Sequence, residues 1–142
     1  MKKVVTLNGA LILIFFSTPF SFADQAIVVP GSGLKYQDLE VGTGTTAEIG
    51  KAVVVHLTGW LDDNGRKGVK FFSSYERGKP VSFKLGTSKV LPGWNEGLAG
   101  MKVGGSRRLM IPAKLGYGAK GAGDIVPPDA NLIFDIELLE IK

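Results

Sequence analysis

The chain has 142 residues, of which 44% are hydrophobic and 21% charged, the composition of one globular domain. It contains no cysteine and one histidine, which excludes zinc fingers, iron–sulfur clusters, thiol catalysis and disulfide frameworks. Its 17 Lys and Arg against 13 Asp and Glu form no dense basic block, so we expect no nucleic-acid partner. Twenty glycines without a Gly-X-Y period indicate tight turns between short strands.

The first 23 residues differ in composition from the rest of the chain. Two lysines precede an apolar run from 4 to 16, and small residues follow up to Ala23. This order is typical of a secretory signal peptide cleaved after Ala23, so we expect a periplasmic or secreted protein. The run is short of the roughly 20 residues that span a bilayer, and we expect no membrane anchor after cleavage. Cleavage removes both lysines and lowers the net charge from +4 to +2.

The mature chain is predicted to be mostly short strands. Residues 24–32 have no periodic pattern, and we expect them to form a flexible or edge-pairing arm before a domain that spans residues 33–142. The segment 52–61 (AVVVHLTGWL) is rich in β-branched residues and leads to the turn dipeptide Asn64-Gly65, which predicts a long strand and its hairpin. Shorter strands are predicted at 34–39, 69–72, 81–85 and 107–111, and a long strand at 131–141.

Only one segment is predicted to be helical, from Pro92 to Met101. It places Trp94, Leu98 and Met101 at i, i+4 and i+7, on one helix face. Because it is about two turns long and holds internal glycines, it needs a sheet to pack against. The sequence therefore predicts an α+β fold, an antiparallel sheet with one short helix on its apolar face.

The glycine-rich segment 116–121 (GYGAKG) matches the pattern G-x-G-x-x-G. In a dinucleotide site such glycines lead from a strand into a helix that holds the pyrophosphate. Here Pro112 separates them from the preceding strand, and Pro127-Pro128 forbids a helix after them. We therefore expect no cofactor, and a mobile or sharply turned surface loop.

The titratable side chains form no catalytic pair. His56 lies in the middle of a predicted strand without a second His or Cys to share a metal, so a structural hydrogen bond is its expected role. Asp135, Glu137 and Glu140 are dispersed along the last strand and are expected to be strand-face charges rather than a glycosidase-like pair.

The aromatic residues leave two interpretations open. They are spread over four or five elements, which suits either a common core or a pocket walled by the sheet and floored by the helix. Tyr117 belongs to the glycine-rich loop, where a core position is less natural. The residues concerned are Phe71, Phe72, Phe83, Trp94, Tyr117 and Phe134.

Seven stretches in one consistent order cover nearly the whole mature chain and carry a family resemblance. They are VHLTG (55–59), FFSS (71–74), KPVSFKLG (79–86), VLPGWNEGL (90–98), MKVGG (101–105), LGYG (115–118) and IVPPDANLIFDIELL (125–139). With them the chain resembles the FKBP-type peptidyl-prolyl cis-trans isomerases. The resemblance implies a twisted antiparallel β half-barrel wrapped around one short helix, without cofactor or metal, that turns X–Pro bonds.

The resemblance also implies roles for individual residues. Trp94 matches the floor of the proline pocket, and the Tyr117 hydroxyl and the Ile125 backbone N–H match donors to the carbonyls beside the proline. The walls match Phe71, Phe83, Val90, Leu91 and Phe134. The implied partners are proline-containing segments of exported proteins, with the macrolides tacrolimus and rapamycin as ligands.

Three positions depart from the family pattern. Leu57 stands where the family usually has Tyr, Phe72 where it usually has Asp, and Val81 where it often has another aromatic residue. The usual Tyr and Asp share a polar corner with an Arg, here Arg77. Leu57 and Phe72 take their places among the expected substrate-binding residues. Loss of that carboxylate predicts macrolide binding weaker by about 1–3 kcal/mol. It also leaves an alternative function open, a weakly active or inactive module that binds proline-containing segments as a chaperone.

Overall fold

The computed structural model describes residues 26–142, so the predicted signal peptide and the start of the arm lie outside the described residues. The described part contains two short α-helices, α1 (Ser74–Arg77) and α2 (Pro92–Leu98). Its strands are β1 (Ile27–Val28), β2 (Lys35–Glu40), β3 (Ala52–Asp63), β4 (Arg66–Ser73), β5 (Val81–Lys84), β6 (Ser106–Ile111) and β7 (Leu132–Ile141).

All strands join one antiparallel sheet in the order β1-β2-β6-β7-β3-β4, and β5 pairs with the first half of β3. The long strands β3 and β7 form its centre. They pair from Val53 opposite Ile141 to Leu61 opposite Leu132, with a register shift between Val54 and Val55. Strand β6 alternates buried and half-buried residues, so one sheet face is apolar. The predicted α+β class, a twisted antiparallel sheet around a short helix, is confirmed.

Helix α2 packs on the apolar face of β6 through its glycines. A Cβ atom on Gly93 would lie 2.7 Å from the Ile111 side chain, and one on Gly97 would lie 2.5 Å from Leu109. The residues that weaken the helix in isolation are therefore the ones that let it approach the sheet. Arg107 fixes its far end, because one guanidinium nitrogen donates to the carbonyl oxygen of Gly97 at 2.9 Å.

The core lies between α2 and the concave face of the sheet. Its fully buried side chains come from every layer, among them Leu34, Val53, Leu57, Leu85, Leu98, Leu109, Ile111, Leu132, Phe134, Ile136 and Leu138. The aromatic cleft described below opens from this core to the surface.

A second helix, the end of α2 and the pairing of the arm add detail to the predicted fold. Helix α1 is a second helix, which Ser73 caps by accepting from the Glu76 amide and which Gly78 ends at φ +80°. Helix α2 ends at Leu98, three residues before the predicted end. Ile27–Val28 pairs with β2, which is the edge-pairing alternative predicted for the arm.

Within residues 26–142 no helix has the length and apolar character needed to cross a membrane.

Candidate active site

Five aromatic rings from five different elements form a continuous row. Phe71 contacts Tyr117 and Phe134 edge to face, with ring centres 6.3 and 5.6 Å away. Phe134 meets Trp94 edge to face at 5.4 Å, and Trp94 meets Phe83 at 5.6 Å. All four distances lie in the range of favourable aromatic pairs. Phe134 is 1% exposed and the other four rings are half-buried, so the row leads from the core to the surface.

A cleft opens beside this row. It has a volume of about 320 Å³ and is bounded by α2, the segment before it and the glycine-rich loop. Lys89 is its one charged lining residue, and most of the remaining lining is apolar. The lining residues are Ser88, Lys89, Val90, Leu91, Trp94 and Tyr117.

A glycine in the central strand makes room for the rings. A Cβ atom on Gly59 would lie 2.6 Å from Phe134 and 2.9 Å from Phe71. Carbon atoms in contact are normally 3.5–4.0 Å apart, so any side chain at this position would displace both rings. Gly59 lies opposite Phe134 and Phe72 in the sheet and is therefore part of the site.

The two aromatic residues that line the cleft, Trp94 and Tyr117, each carry one polar group. The indole Nε1 of Trp94 is buried and has no hydrogen-bond partner among residues 26–142. Burial raises the pKa of the Tyr117 hydroxyl above its ordinary value of 10.0, so this group stays protonated at physiological pH. The Tyr117 hydroxyl is therefore a neutral donor at the cleft, while the Trp94 N–H is enclosed beneath its surface.

The lip of the cleft is held by an asparagine of α2. Asn95 accepts from the Gly86 amide at 2.7 Å and donates to the Thr87 carbonyl oxygen at 2.7 Å. These two bonds attach the segment between β5 and α2 to the helix. Val90 and Leu91, which belong to that segment, are thereby fixed beside Trp94.

The glycine-rich loop is sharply turned and internally bonded. It contains the 3₁₀ turns Ala113–Leu115 and Gly118–Lys120, without the helix that a dinucleotide site needs. Ala122 and Val126 exchange two backbone hydrogen bonds, and a Cβ atom on Gly121 would lie 2.3 Å from the Val126 carbonyl oxygen. Only glycine fits there, and the bonded loop carries Tyr117 over the cleft.

The structure brings together seven of the ten residues proposed for the site: Phe71, Phe83, Val90, Leu91, Trp94, Tyr117 and Phe134. Leu57 is 0% exposed and lies in the core beneath them. Ile125 is 53% exposed between the paired residues Ala122 and Val126. Phe72 lines a neighbouring groove with Arg77, whose guanidinium carbon lies 5.2 Å from the ring centre.

His56 belongs to a different cluster. Its Nδ1 lies 2.7 Å from the Ser74 Oγ, and its ring stacks on Tyr75 with centres 4.3 Å apart. The buried Ser74 hydroxyl also bonds both backbone groups of Leu57. These contacts give His56 the structural role expected from its position in the strand.

The acids of β7 are held by neighbours rather than paired for catalysis. Burial alone would raise the pKa of Asp135, but hydrogen bonds from Arg108 and Lys67 outweigh it and lower the pKa below 3.8. Glu137 accepts a 2.8 Å hydrogen bond from the Tyr75 hydroxyl. Together with burial, this bond raises the pKa of Tyr75 to about 12. Within residues 26–142 no three acidic or histidine side chains converge on a metal position.

Sequence reasoning missed the residues that position the site, namely Gly59, Asn95 and the two helix glycines. A glycine inside a β-branched strand is a recognised signal of close approach, and Gly59 carried that signal. Asn95 left none, because its partners lie eight and nine residues away in a loop without periodic pattern.

In the described residues 26–142, the fold and the cleft define a class of protein, a single-sheet domain whose aromatic cleft is lined by no acid–base pair. Comparison with known proteins identifies that class. Residues 43–139 match the family model described as FKBP-type peptidyl-prolyl cis-trans isomerase. The chain therefore belongs to the FKBP-type peptidyl-prolyl cis-trans isomerases.

Individual relatives agree with this assignment. An FK506-binding protein of Neisseria meningitidis serogroup B is 50% identical over 77% of this chain and 96% of its own. The peptidyl-prolyl cis-trans isomerase FPR2 of Saccharomyces cerevisiae is 39% identical over 95% of this chain and 96% of its own. The crystal structure of AtFKBP13 superposes with a TM-score of 0.74 at 37% identity, covering 83% of this chain and 99% of that one.

Proposed function

We propose that this isomerase accelerates the folding of exported proteins by twisting X–Pro bonds in the cleft beside the aromatic row. The observation that carries the proposal is the row itself, in which Phe71, Phe134 and Trp94 line an apolar path to the surface. Uncatalysed prolyl isomerisation takes tens of seconds, slow enough to limit folding, so a domain that only speeds this step has a use.

The reaction suits an apolar site. Rotation about an X–Pro bond breaks amide resonance and meets a barrier of about 18–20 kcal/mol, yet no covalent bond forms and no proton moves. The twisted amide has less charge separation than the planar one, so a dry aromatic surface favours it over the ground state. Trp94 forms the floor under the proline ring in this proposal, with Phe83, Val90 and Leu91 as the walls beside it.

Two donors orient the peptide in this proposal. The Tyr117 hydroxyl is neutral, because burial raises its pKa, and it is carried by the bonded loop at the rim of the cleft. The Ile125 backbone N–H, in the exposed turn of the same loop, donates to the second carbonyl beside the proline. Leu57 supports the ring row from the core without contacting the peptide. Holding the peptide in a turn lowers the entropic part of the barrier.

Tyr117→Phe tests this mechanism because it removes one hydroxyl and keeps the ring. We expect kcat/KM on an X–Pro tetrapeptide to fall about two- to tenfold, the effect of one neutral hydrogen bond of 0.5–1.5 kcal/mol. Tm is measured on the same sample and should be unchanged. A large fall in Tm with a proportionate loss of activity would assign Tyr117 a structural role instead.

Export is the second part of the proposal. The charged start, the short apolar run and the small residues before Asp24 support a signal peptide that delivers the enzyme to the periplasm or outside the cell. Intact mass measurement of the protein from the exported fraction should give a chain that begins at Asp24. A full-length chain retained in the cytoplasm would contradict it.

A second candidate function is a binding module that holds proline-containing segments with little turnover. Phe72 favours it, because this ring stands where the family's usual carboxylate would face Arg77. The two functions differ in one assay. If the unaltered chain isomerises the tetrapeptide, it is an enzyme. If only the double variant Leu57→Tyr with Phe72→Asp isomerises it, the unaltered chain is a binding module.

A further inference from the structure

A second groove adjoins the aromatic cleft. It has a volume of about 290 Å³ and contains the consecutive residues Phe71 and Phe72. Neighbours in a regular strand point to opposite faces, but the register of β4 shifts here: Gly59 pairs with Phe72 and Trp60 with Lys70, which leaves Phe71 as an extra residue. The bulge brings both rings to one groove. Since Phe71 also contacts Tyr117, the groove and the aromatic row are continuous.

The charges of this groove are unevenly compensated. It contains Lys70, Glu76 and Arg77, and Lys70 pairs with Glu76. Arg77 has no carboxylate within salt-bridge distance in the described part of the chain, and its guanidinium lies against the face of Phe72. The Phe72 ring therefore covers one face of the Arg77 guanidinium, and the N–H donors of Arg77 have no partner among the described residues. The groove thus carries one uncompensated positive charge.

We propose that Phe72 and Arg77 form a subsite for an acidic side chain within two residues of the substrate's proline. The inference rests on the proposed function, because the groove continues from the aromatic row. Arginine matches a carboxylate with two parallel N–H donors, and the ring of Phe72 orients it for that contact. The class of substrate is therefore an X–Pro segment with a neighbouring Asp or Glu.

The expected preference is modest, because Arg77 is exposed. Exposed ion pairs contribute about 0.2–1 kcal/mol, so kcat/KM should favour a Glu peptide over its Gln analogue by about 1.4- to fivefold at low salt. A Lys peptide should be the poorest of the three. The preference should shrink as ionic strength rises, since the Debye length falls from about 30 Å at 0.01 M to about 3 Å at 1 M.

Two sets of tetrapeptides test the subsite on the whole protein, with Glu, Gln or Lys either before or after the proline. In Arg77→Gln the Glu-to-Gln ratio of kcat/KM should fall to about one, and in Arg77→Glu the Lys peptide should overtake the Glu peptide. Lys79→Gln removes the same charge two residues away, outside the groove, and should keep the ratio. Lys89→Gln removes the cation that lines the aromatic cleft, and it should also keep the Glu-to-Gln ratio.

The outcomes separate the subsite from the isomerase itself. A ratio lost in Arg77→Gln and kept in Lys79→Gln and Lys89→Gln supports the subsite. Equal kcat/KM for the Glu, Gln and Lys peptides in both sets would overturn the subsite and leave the proposed isomerase intact. A Glu-to-Gln ratio that is lost in Lys89→Gln would do the same. Absence of turnover on every peptide overturns the proposed function and the subsite together.

Discussion

Gly59→Ala tests whether the ring positions matter, because it adds one carbon atom between two of the rings. The new Cβ would lie 2.6 Å from Phe134 and 2.9 Å from Phe71, about 1 Å closer than normal contact. Replacing a strand glycine by alanine would otherwise stabilise the fold by about 0.5–1 kcal/mol. Overpacking of a full core costs about 1–3 kcal/mol, so we expect net destabilisation. A ring displacement near 1 Å should lower kcat/KM by tenfold or more.

Urea unfolding and kcat/KM on an X–Pro tetrapeptide, measured on the same preparation, check this expectation. Thr58→Ala is the control, because Thr58 lies on the same strand beside the opposite-face groove that contains Trp60 and Tyr75. Phe71→Leu removes one of the two close contacts and leaves the one with Phe134. The double variant Gly59→Ala with Phe71→Leu should therefore lose less stability than the sum of the losses of the two single variants. If Gly59→Ala matches the unaltered protein in both measurements, the rings do not need their present positions.

Three further predictions follow from the charges. The rate constant should be nearly flat from about pH 5.5 to 8.5, because the cleft has no acid–base pair and the raised pKa of Tyr117 keeps its hydroxyl protonated; a bell-shaped profile would contradict this. Asp135 has a lowered pKa, so its contribution to stability is present above about pH 4 and is lost as pH falls through the folded value. Tm of the unaltered protein should therefore fall more steeply between pH 5 and 2 than that of Asp135→Asn, and parallel Tm curves would refute the ion pairs with Arg108 and Lys67. Calorimetry with tacrolimus should show that Phe72→Asp strengthens binding by about 1–3 kcal/mol, and unchanged affinity would show that this position does not contact the ligand.

The class of fold could be predicted because its signals are local. A run of β-branched residues before an Asn-Gly turn marked β3, and a period of 3.6 marked the face of α2 that carries Trp94 and Leu98. Helix α1 was missed because four residues show no period, and its stability comes from the Ser73 and Gly78 caps. The pairing of Ile27–Val28 with β2 depends on a partner strand that its own sequence does not specify.

The site was predictable only in part, for the same reason. The spacing of the aromatic residues did not decide whether they form a core or line a pocket. In the structure the row does both, since Phe134 is buried in the core while Tyr117 reaches the rim of the cleft. The six wall and floor assignments came from the family resemblance rather than from periodicity. The close approach of Gly59 to the rings and the hydrogen bonds of Asn95 join segments that are separated in the sequence. The pattern of one segment does not show which other segment it will contact.

The most direct test of the account compares the two tryptophans of the chain. Trp94 belongs to the aromatic row, while Trp60 lies under Lys67 on the other side of the sheet, 4.1 Å from that ammonium group. The measurement is kcat/KM for cis-to-trans isomerisation of one X–Pro tetrapeptide by Trp94→Leu and Trp60→Leu, well below the Tm of each variant. The account predicts a loss of tenfold or more for Trp94→Leu and a rate within twofold of the unaltered protein for Trp60→Leu. Equal rates for the two variants would contradict the claim that the aromatic row is where the proline turns.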